Sequence, residues 1–290
     1  MKGKPRMKGV NTGTLYLVAT PIGNLEDISL RALRTLKEAD LIAAEDTRHS
    51  LKLLNYFEIK KPLVSYFEHN KLKRGEELIQ QLLEGKNIAL VTDAGTPGIS
   101  DPGEDLVKLA IENNINVTMI PGCTASITAL VLSGLPCRRF SFEGFLSHDR
   151  KERQKHLESI RSEERTIIFY VTPHNCTDIL KETENILGDR NAALCRELTK
   201  KHEEVIRGRL SEIAKAITLN GKVKGEMVLV IEGAETGQAD EENKWLSVSL
   251  NEHMDYYLSQ GIEKKEAMKL VAKDRGITKR EVYSLYMKKT

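Results

Sequence analysis

Short apolar runs alternate with amphipathic stretches from Thr14 to about residue 233, and no other feature limits the fold as strongly. LYLVAT (15–20), LIAA (41–44), IALVT (88–92), NVTMI (116–120), FSFEGF (140–145), TIIFYVT (166–172), AALCREL (192–198) and MVLVIEG (227–233) are too short for helices and read as strands. Between them lie helical patterns: one with Ser29 as N-cap and Leu30, Leu33 and Leu36 on one face, then others near 105–112, inside 124–134, near 151–160 and after Pro173. Strand and helix in alternation predict an α/β protein with a largely parallel sheet, and the run is too long for one tidy sheet.

Five segments are expected. Residues 1–13 carry Lys2, Lys4, Arg6 and Lys8 with no cleavage pattern, and read as a disordered basic tail. An N-terminal α/β lobe covers 14–121 and ends at the tight turn Pro121-Gly122; a second α/β lobe covers 122–234. ETGQADEENK, within 235–244, is acidic and lacks apolar period, so it reads as a linker. Residues 245–290 supply three amphipathic helices with Leu250, Met254, Tyr257, Ala267, Leu270, Val271, Val282, Leu285 and Tyr286 at core spacing, breaks at Gly261 and Gly276, and Thr278 as a cap. That spacing is helix-turn-helix-like.

Charge narrows the partners. From Gly261 onward nine Lys/Arg stand against four Asp/Glu, and Arg138, Arg139, Arg150, Lys151, Arg153 and Lys155 form a second basic group. Together with the basic N-terminus they point to a polyanion, a small dimerisation module being the alternative for the last helices. Charged residues make up 30% of the chain and no apolar run reaches the roughly 20 residues of a membrane helix. Cys123, Cys137, Cys176 and Cys195 lack ligand spacing, so reduced cytosolic thiols are expected and a metal site is not.

The turn after the IALV run, within LVTDAGTPGISDPG (90–103), is where a ligand is expected, because glycines let backbone approach it closely. It is no phosphate loop: no lysine lies in it, and Asp93 and Asp101 repel phosphate. A ligand with a positive centre and hydroxyls suits it, and S-adenosylmethionine has both.

LYLVATPIGNLEDIS, AEDTRHSLKLL, LVTDAGTPGISDPG, PGCTASITAL followed by GLP, and CRELTKKHEEVIRG resemble the ribosomal RNA small subunit methyltransferase I family of the tetrapyrrole methylase superfamily. The resemblance spans roughly 14–233, and the basic helical tail matches the extension these enzymes carry. It implies a two-lobed, tetrapyrrole methylase-like fold with the cofactor cleft between the lobes. It also implies a cytoplasmic homodimer that moves a methyl from S-adenosyl-L-methionine to the ribose 2′-hydroxyl of a cytidine in the decoding region of 16S ribosomal RNA. By position, Pro21, Ala94, Gly95, Thr96, Ile99, Thr124 and Ala125 are the implied cofactor contacts, joined by Val171 and Ala193 from the second lobe. Thr96 stands where many tetrapyrrole enzymes carry an aspartate, which speaks against a porphyrin substrate.

Methyl transfer is an in-line displacement that positioning accelerates, and a ribose hydroxyl needs a proton acceptor. Glu45 and Asp46 follow a strand at the sheet edge where α/β enzymes build sites, with Arg48 placed to hold a phosphate or orient the carboxylate. Lys200, as a lysine of lowered pKa, and His69-Asn70 are further candidates. A tetrapyrrole-like small-molecule methyltransferase and a ligand-sensing DNA-binding regulator remain as alternatives.

Overall fold

A computed structural model of the chain describes residues 12–219, 224–235, 245, 248–275 and 277–287. The basic tail over 1–11, most of the linker, Gly276 and the last three residues lie outside them.

The first sheet takes β1 (Thr14–Val18), β2 (Leu41–Ala44), β3 (Leu63–Ser65), β4 (Ile88–Val91) and β5 (Asn116–Ile120), in the order β3-β2-β4-β1-β5. Every pairing is parallel. Parallel strands need crossovers, supplied by α1 (Leu30–Glu38), α2 (Thr47–Tyr56), α3 (Lys71–Leu83) and α4 (Gly103–Glu112). Helices cover both faces, so β2 and β4 are buried at every residue, which is why they read as unbroken apolar runs. Ser29 does cap α1, its hydroxyl accepting from Ala32 N at 3.0 Å. Of that helix's expected face, Leu36 is buried, Leu33 half-buried and Leu30 86% exposed.

The second sheet takes β6 (Phe140–Phe145), β7 (Thr166–Val171), β8 (Asn191–Arg196), β9 (Glu204–Arg209) and β10 (Met227–Ile231), in the order β6-β7-β10-β8-β9. Here the expectation of a largely parallel sheet is corrected. Only β6 and β7 run parallel; β10 is antiparallel to both β7 and β8, and β9 to β8. The tight return from β8 to β9, with no helix between, needs no crossover and reverses the direction. Helices α5 (Ala125–Ser133), α6 (Arg150–Ser159), α7 (Cys176–Leu187) and α8 (Leu210–Leu219) cover this sheet. Helix α5 ends at Gly134, whose φ of +75° suits a left-handed cap. It packs Ala129 and Leu130 onto Ile168, Cys195, Val228 and Val230.

The lobes are joined through the turn after β1. Ile22 enters the α5 cluster of the second sheet at 7% exposure, a burial that contributes about 1.5–3 kcal/mol. Asn24 N donates to Thr199 Oγ1 at 3.0 Å, and a Cβ on Gly23 would lie 2.7 Å from Leu198 O, so only glycine permits that approach.

Three tail helices, α9 (Leu250–Ser259), α10 (Lys264–Asp274) and α11 (Lys279–Met287), form their own cluster around Met254, Ala267, Met268, Val271, Ala272 and Val282. Thr278 caps the last as expected. Leu285 is 54% exposed and Leu270 only half-buried, so two of the anticipated core positions are taken instead by Met268 and Ala272.

Candidate functional site

Neighbouring strands β1 and β4 send their chains to opposite sides of the first sheet, and a crevice opens at their carboxyl ends, where open α/β sheets hold ligands. The turns leaving these strands are tied by an antiparallel bridge: Thr20 N donates to Gly95 O at 2.9 Å and Gly95 N to Thr20 O at 3.1 Å. Gly95 adopts φ +82°, and a Cβ there would meet Ile22 Cγ2 at 3.2 Å. Asp101 shapes the rest of the turn by accepting from Gly98 N at 2.8 Å and Gly103 N at 2.7 Å. Thr96 Oγ1 then bridges to the third turn, contacting Cys123 O at 3.0 Å and Thr124 Oγ1 at 2.8 Å.

A cavity of about 440 Å³ lies over these turns, a size typical of small-ligand sites. Its floor is Ile22, Thr92, Asp93, Ala94, Gly95, Thr96, Ile99, Thr124 and Ala125; the second lobe adds Phe145, Tyr170, Val171, Leu198, Met227 and Val228. Of the expected cofactor contacts, Ala94, Gly95, Thr96, Ile99, Thr124, Ala125 and Val171 therefore lie together. Two do not. Pro21 is buried and does not line the cavity, whereas the next residue, Ile22, does. Ala193 sits mid-strand in β8, paired with Val230, while the cavity meets that sheet at the ends of β6 and β7 and the start of β10.

Four carboxylates line the cavity: Glu45, Asp93 and Asp101 from the first lobe and Glu226 from the second. Glu45 Oε2 accepts from Thr92 Oγ1 at 2.7 Å, which fixes its orientation. Burial raises the Asp93 carboxyl pKa, against the opposing bond from Asp46 N at 3.0 Å. Burial likewise raises Asp101, opposed by the Gly98 and Gly103 amides. The cavity is thus rich in hydrogen-bond acceptors beside apolar walls, a setting suited to a ligand that is positive at one atom and hydroxyl-bearing elsewhere.

The remaining catalytic candidates are outside. Asp46 caps α2 and accepts from Arg48 N at 2.8 Å and from its guanidinium, which holds the carboxyl at about 2, too acidic for a proton acceptor near neutrality. Arg48 is spent on that pair and points to solvent, 89% exposed. Lys200 corrects the expectation of a lowered pKa: burial pulls its ammonium down, but Glu197 at 2.9 Å and Glu226 at 3.2 Å outweigh it, and the net shift is upward. Only its partner Glu226 reaches the cavity. Asn70 closes its own turn, accepting from Phe67 N at 2.9 Å, and exposed His69 lies beside it.

The second basic group also divides. Arg153 is 7% exposed, held by Glu182 at 2.6 Å and by the Ser147 and His148 carbonyls. Breaking such a buried pair costs about 3–5 kcal/mol, so this arginine serves the fold. Arg138 and Arg139 precede β6 while Arg150, Lys151 and Lys155 follow it, at opposite ends of the strand.

Comparison with known proteins gives one consistent answer. The family profile described as Tetrapyrrole (Corrin/Porphyrin) Methylases matches residues 14–214. The chain is 52% identical over 274 residues to "Ribosomal RNA small subunit methyltransferase I" of Halalkalibacterium halodurans, covering 94% of each. It is 47% identical over 225 residues to the same-named protein of Thermotoga maritima, covering 77% of this chain and 100% of that one. Among solved structures, diphthine synthase superposes with a TM-score of 0.59 at 19% identity over 76% of this chain and 90% of that one, a likeness of fold alone.

Proposed function

We propose a reaction for this chain from one premise: the chain belongs to the tetrapyrrole (corrin/porphyrin) methylase family and, within it, to the ribosomal RNA small subunit methyltransferase I family. The reaction is methylation by S-adenosyl-L-methionine of a cytidine ribose 2′-hydroxyl in the decoding region of 16S ribosomal RNA. The observation that carries it is the 52% identity over 94% of both chains.

The cavity fits that cofactor. Its volume suits a nucleoside-sized ligand, Gly95 leaves room for close backbone approach, and the four carboxylates complement a sulfonium. When bound, the cofactor supplies a methyl group on a positively charged sulfur. Ala94, Gly95, Thr96, Ile99, Thr124 and Ala125 hold it from below, and Val171 packs its apolar surface from the second lobe. Glu45 is the proton acceptor: it lines the cavity, Thr92 orients it, and it would take the 2′-hydroxyl proton as the O–C bond formed and the C–S bond broke, the neutral thioether leaving. Asp46, Arg48 and Lys200 have no part in the chemistry.

The tail brings the RNA. Lys264, Lys265 and Lys269 are exposed on α10 and Arg280 on α11, placed to neutralise phosphates. The Thermotoga maritima relative supports this division, since 225 matched residues suffice for both sheets but not for the tail helices as well. In this reading the enzyme works in the cytoplasm as a homodimer; Ile127 and Val131, exposed one turn apart on α5, offer an apolar face to a second copy.

The test offers labelled S-adenosylmethionine with small ribosomal subunits, a porphyrin precursor and duplex DNA. Label should enter only the subunit RNA, and nuclease digestion with mass spectrometry should find it on a cytidine sugar. Label on a cytosine ring rejects the ribose assignment, and label in the porphyrin alone rejects the RNA substrate.

A further inference from the structure

Strand β6 is an edge of the second sheet and carries Phe140, Phe142 and Phe145. Strict alternation would send Phe145 to the face opposite Phe142. A bulge prevents this. Phe142 pairs with Ile168 and Gly144 with Phe169, leaving Glu143 as the extra residue, and Phe145 comes into register with Tyr170. Gly144 has φ +65°, a conformation that glycine adopts without strain. Glu143 turns away, accepting from the Ser141 hydroxyl and meeting His156 Nε2 at 2.9 Å.

The bulge thus sets Phe145 beside Tyr170, with ring centroids 5.3 Å apart, and Phe142 lies 4.9 Å from the same tyrosine ring. Phe145 and Tyr170 both line the cavity, yet Phe145 is left 54% exposed. The position is fixed relative to the first lobe as well, because a Cβ on Gly144 would touch Ser100 Oγ at 3.4 Å, within the turn that carries Ile99. A large aromatic ring is held half-uncovered at the edge of the reactive cavity by a backbone device.

Resting on the reading that the acceptor is a ribose of RNA, we infer that Phe145 is the stacking platform for the base of the target nucleotide, with Tyr170 as its backing ring. The ribose must come to the cavity, and a nucleotide drawn out of its stack loses the neighbours that supported its base. An aromatic face replaces them for any base, so the platform positions the sugar without reading the base edge.

The test compares the parent enzyme with Phe145→Ala, Phe145→Leu and Phe145→Tyr on small subunits that lack the methyl group, with cofactor affinity followed by calorimetry. Losing one base–aromatic stack should lower kcat/KM roughly tenfold to a hundredfold in the alanine and leucine variants, while the tyrosine variant stays within about threefold. Subunit binding without cofactor should follow the same order, and cofactor affinity should stay within about threefold throughout. Full activity of Phe145→Ala, or equal activity of the leucine and tyrosine variants, overturns the platform while leaving the methyltransferase reading intact. Cofactor affinity falling in step with activity overturns it too, by assigning the ring to the cofactor. A parent enzyme that leaves the subunit unmethylated overturns the reading and the platform together.

Discussion

The two sheets face one cavity with opposite materials. The parallel sheet contributes turns: backbone at Ala94–Thr96, the carboxylates Glu45, Asp93 and Asp101, and the hydroxyls of Thr92 and Thr96. The mixed sheet contributes side chains from strands and their ends, mostly apolar: Phe145, Tyr170, Val171, Leu198, Met227 and Val228. The reason lies in direction. All five parallel strands finish at the same edge, so several loops gather there, whereas antiparallel pairs put β7's end beside β10's start and leave strand residues as the wall. Polar recognition therefore belongs to the first lobe and shape to the second.

The strongest way to break this division is Gly95→Val. The residue sits at φ +82°, and a Cβ there would lie only 3.2 Å from Ile22 Cγ2, so a branched side chain displaces the turn itself. Cofactor affinity should fall by at least about a hundredfold in a variant whose circular dichroism is unchanged; calorimetry showing parent-like affinity would remove the turn from the site.

Next comes the proton acceptor. Glu45→Gln should lower kcat by about 10²–10³-fold, with cofactor affinity held within about threefold, while Lys200→Met should leave kcat within about threefold. The reverse ranking would move the chemistry to the edge of the second lobe. Single-turnover methylation of saturating subunits measures it.

A chain ending at Glu235 adds the third region to the comparison. It should bind cofactor normally but hold RNA roughly tenfold more weakly, with a salt slope reduced by about 0.7–0.9 for each lost phosphate contact. Unchanged RNA affinity across a salt series would deny the tail its role, and loss of cofactor binding in a folded protein would make it part of the site.

The smallest effect is shared equally by the two lobes. Asp46 and Glu163 each accept from the backbone and guanidinium of an arginine two residues on, and each is held at about 2 by that arginine. A depressed carboxylate adds stability above its unfolded pKa, near 4, and that stability disappears as pH falls through the folded value. Asp46→Asn and Glu163→Gln should each melt about 2 °C or less below the parent at pH 6, with the gap mostly closed by pH 2. A gap undiminished at pH 2 would show that packing, not charge, was lost.

Much of the first lobe was legible because central strands β2 and β4 are short, buried at every residue and bounded by turn residues, whereas the three half-buried residues of β3 gave no such run. The second lobe was less so. EVIRGR forms edge strand β9 with charges facing solvent, a pattern that local apolar content misses. Strand direction is invisible in composition, which is why the antiparallel β10 was unexpected. Among site residues, the glycines of 90–103 marked a place for a ligand, while the individual positions 94–99 within it came from the family resemblance. Ala193 could not be rejected, because depth along a strand depends on where its partners end. Lys200 misled for a related reason: Glu226, one of the two carboxylates that raise its pKa, lies 26 residues away.

The cavity takes its first wall from Ile22 and one of its last from Val228, and this sets the order in which the protein becomes an enzyme during synthesis. Residues 14–120 carry their own clusters around Leu15, Leu90 and Leu106 and around Val18, Ile42 and Val91, so the parallel sheet has what it needs to fold as it leaves the ribosome. Ile22 has no cluster to enter until α5, β8 and β10 exist. A nascent chain stopped after β5 therefore holds a finished sheet with its glycine turns facing water, and ligand can stabilise the protein only once β10, the last strand made, has closed the opposite wall.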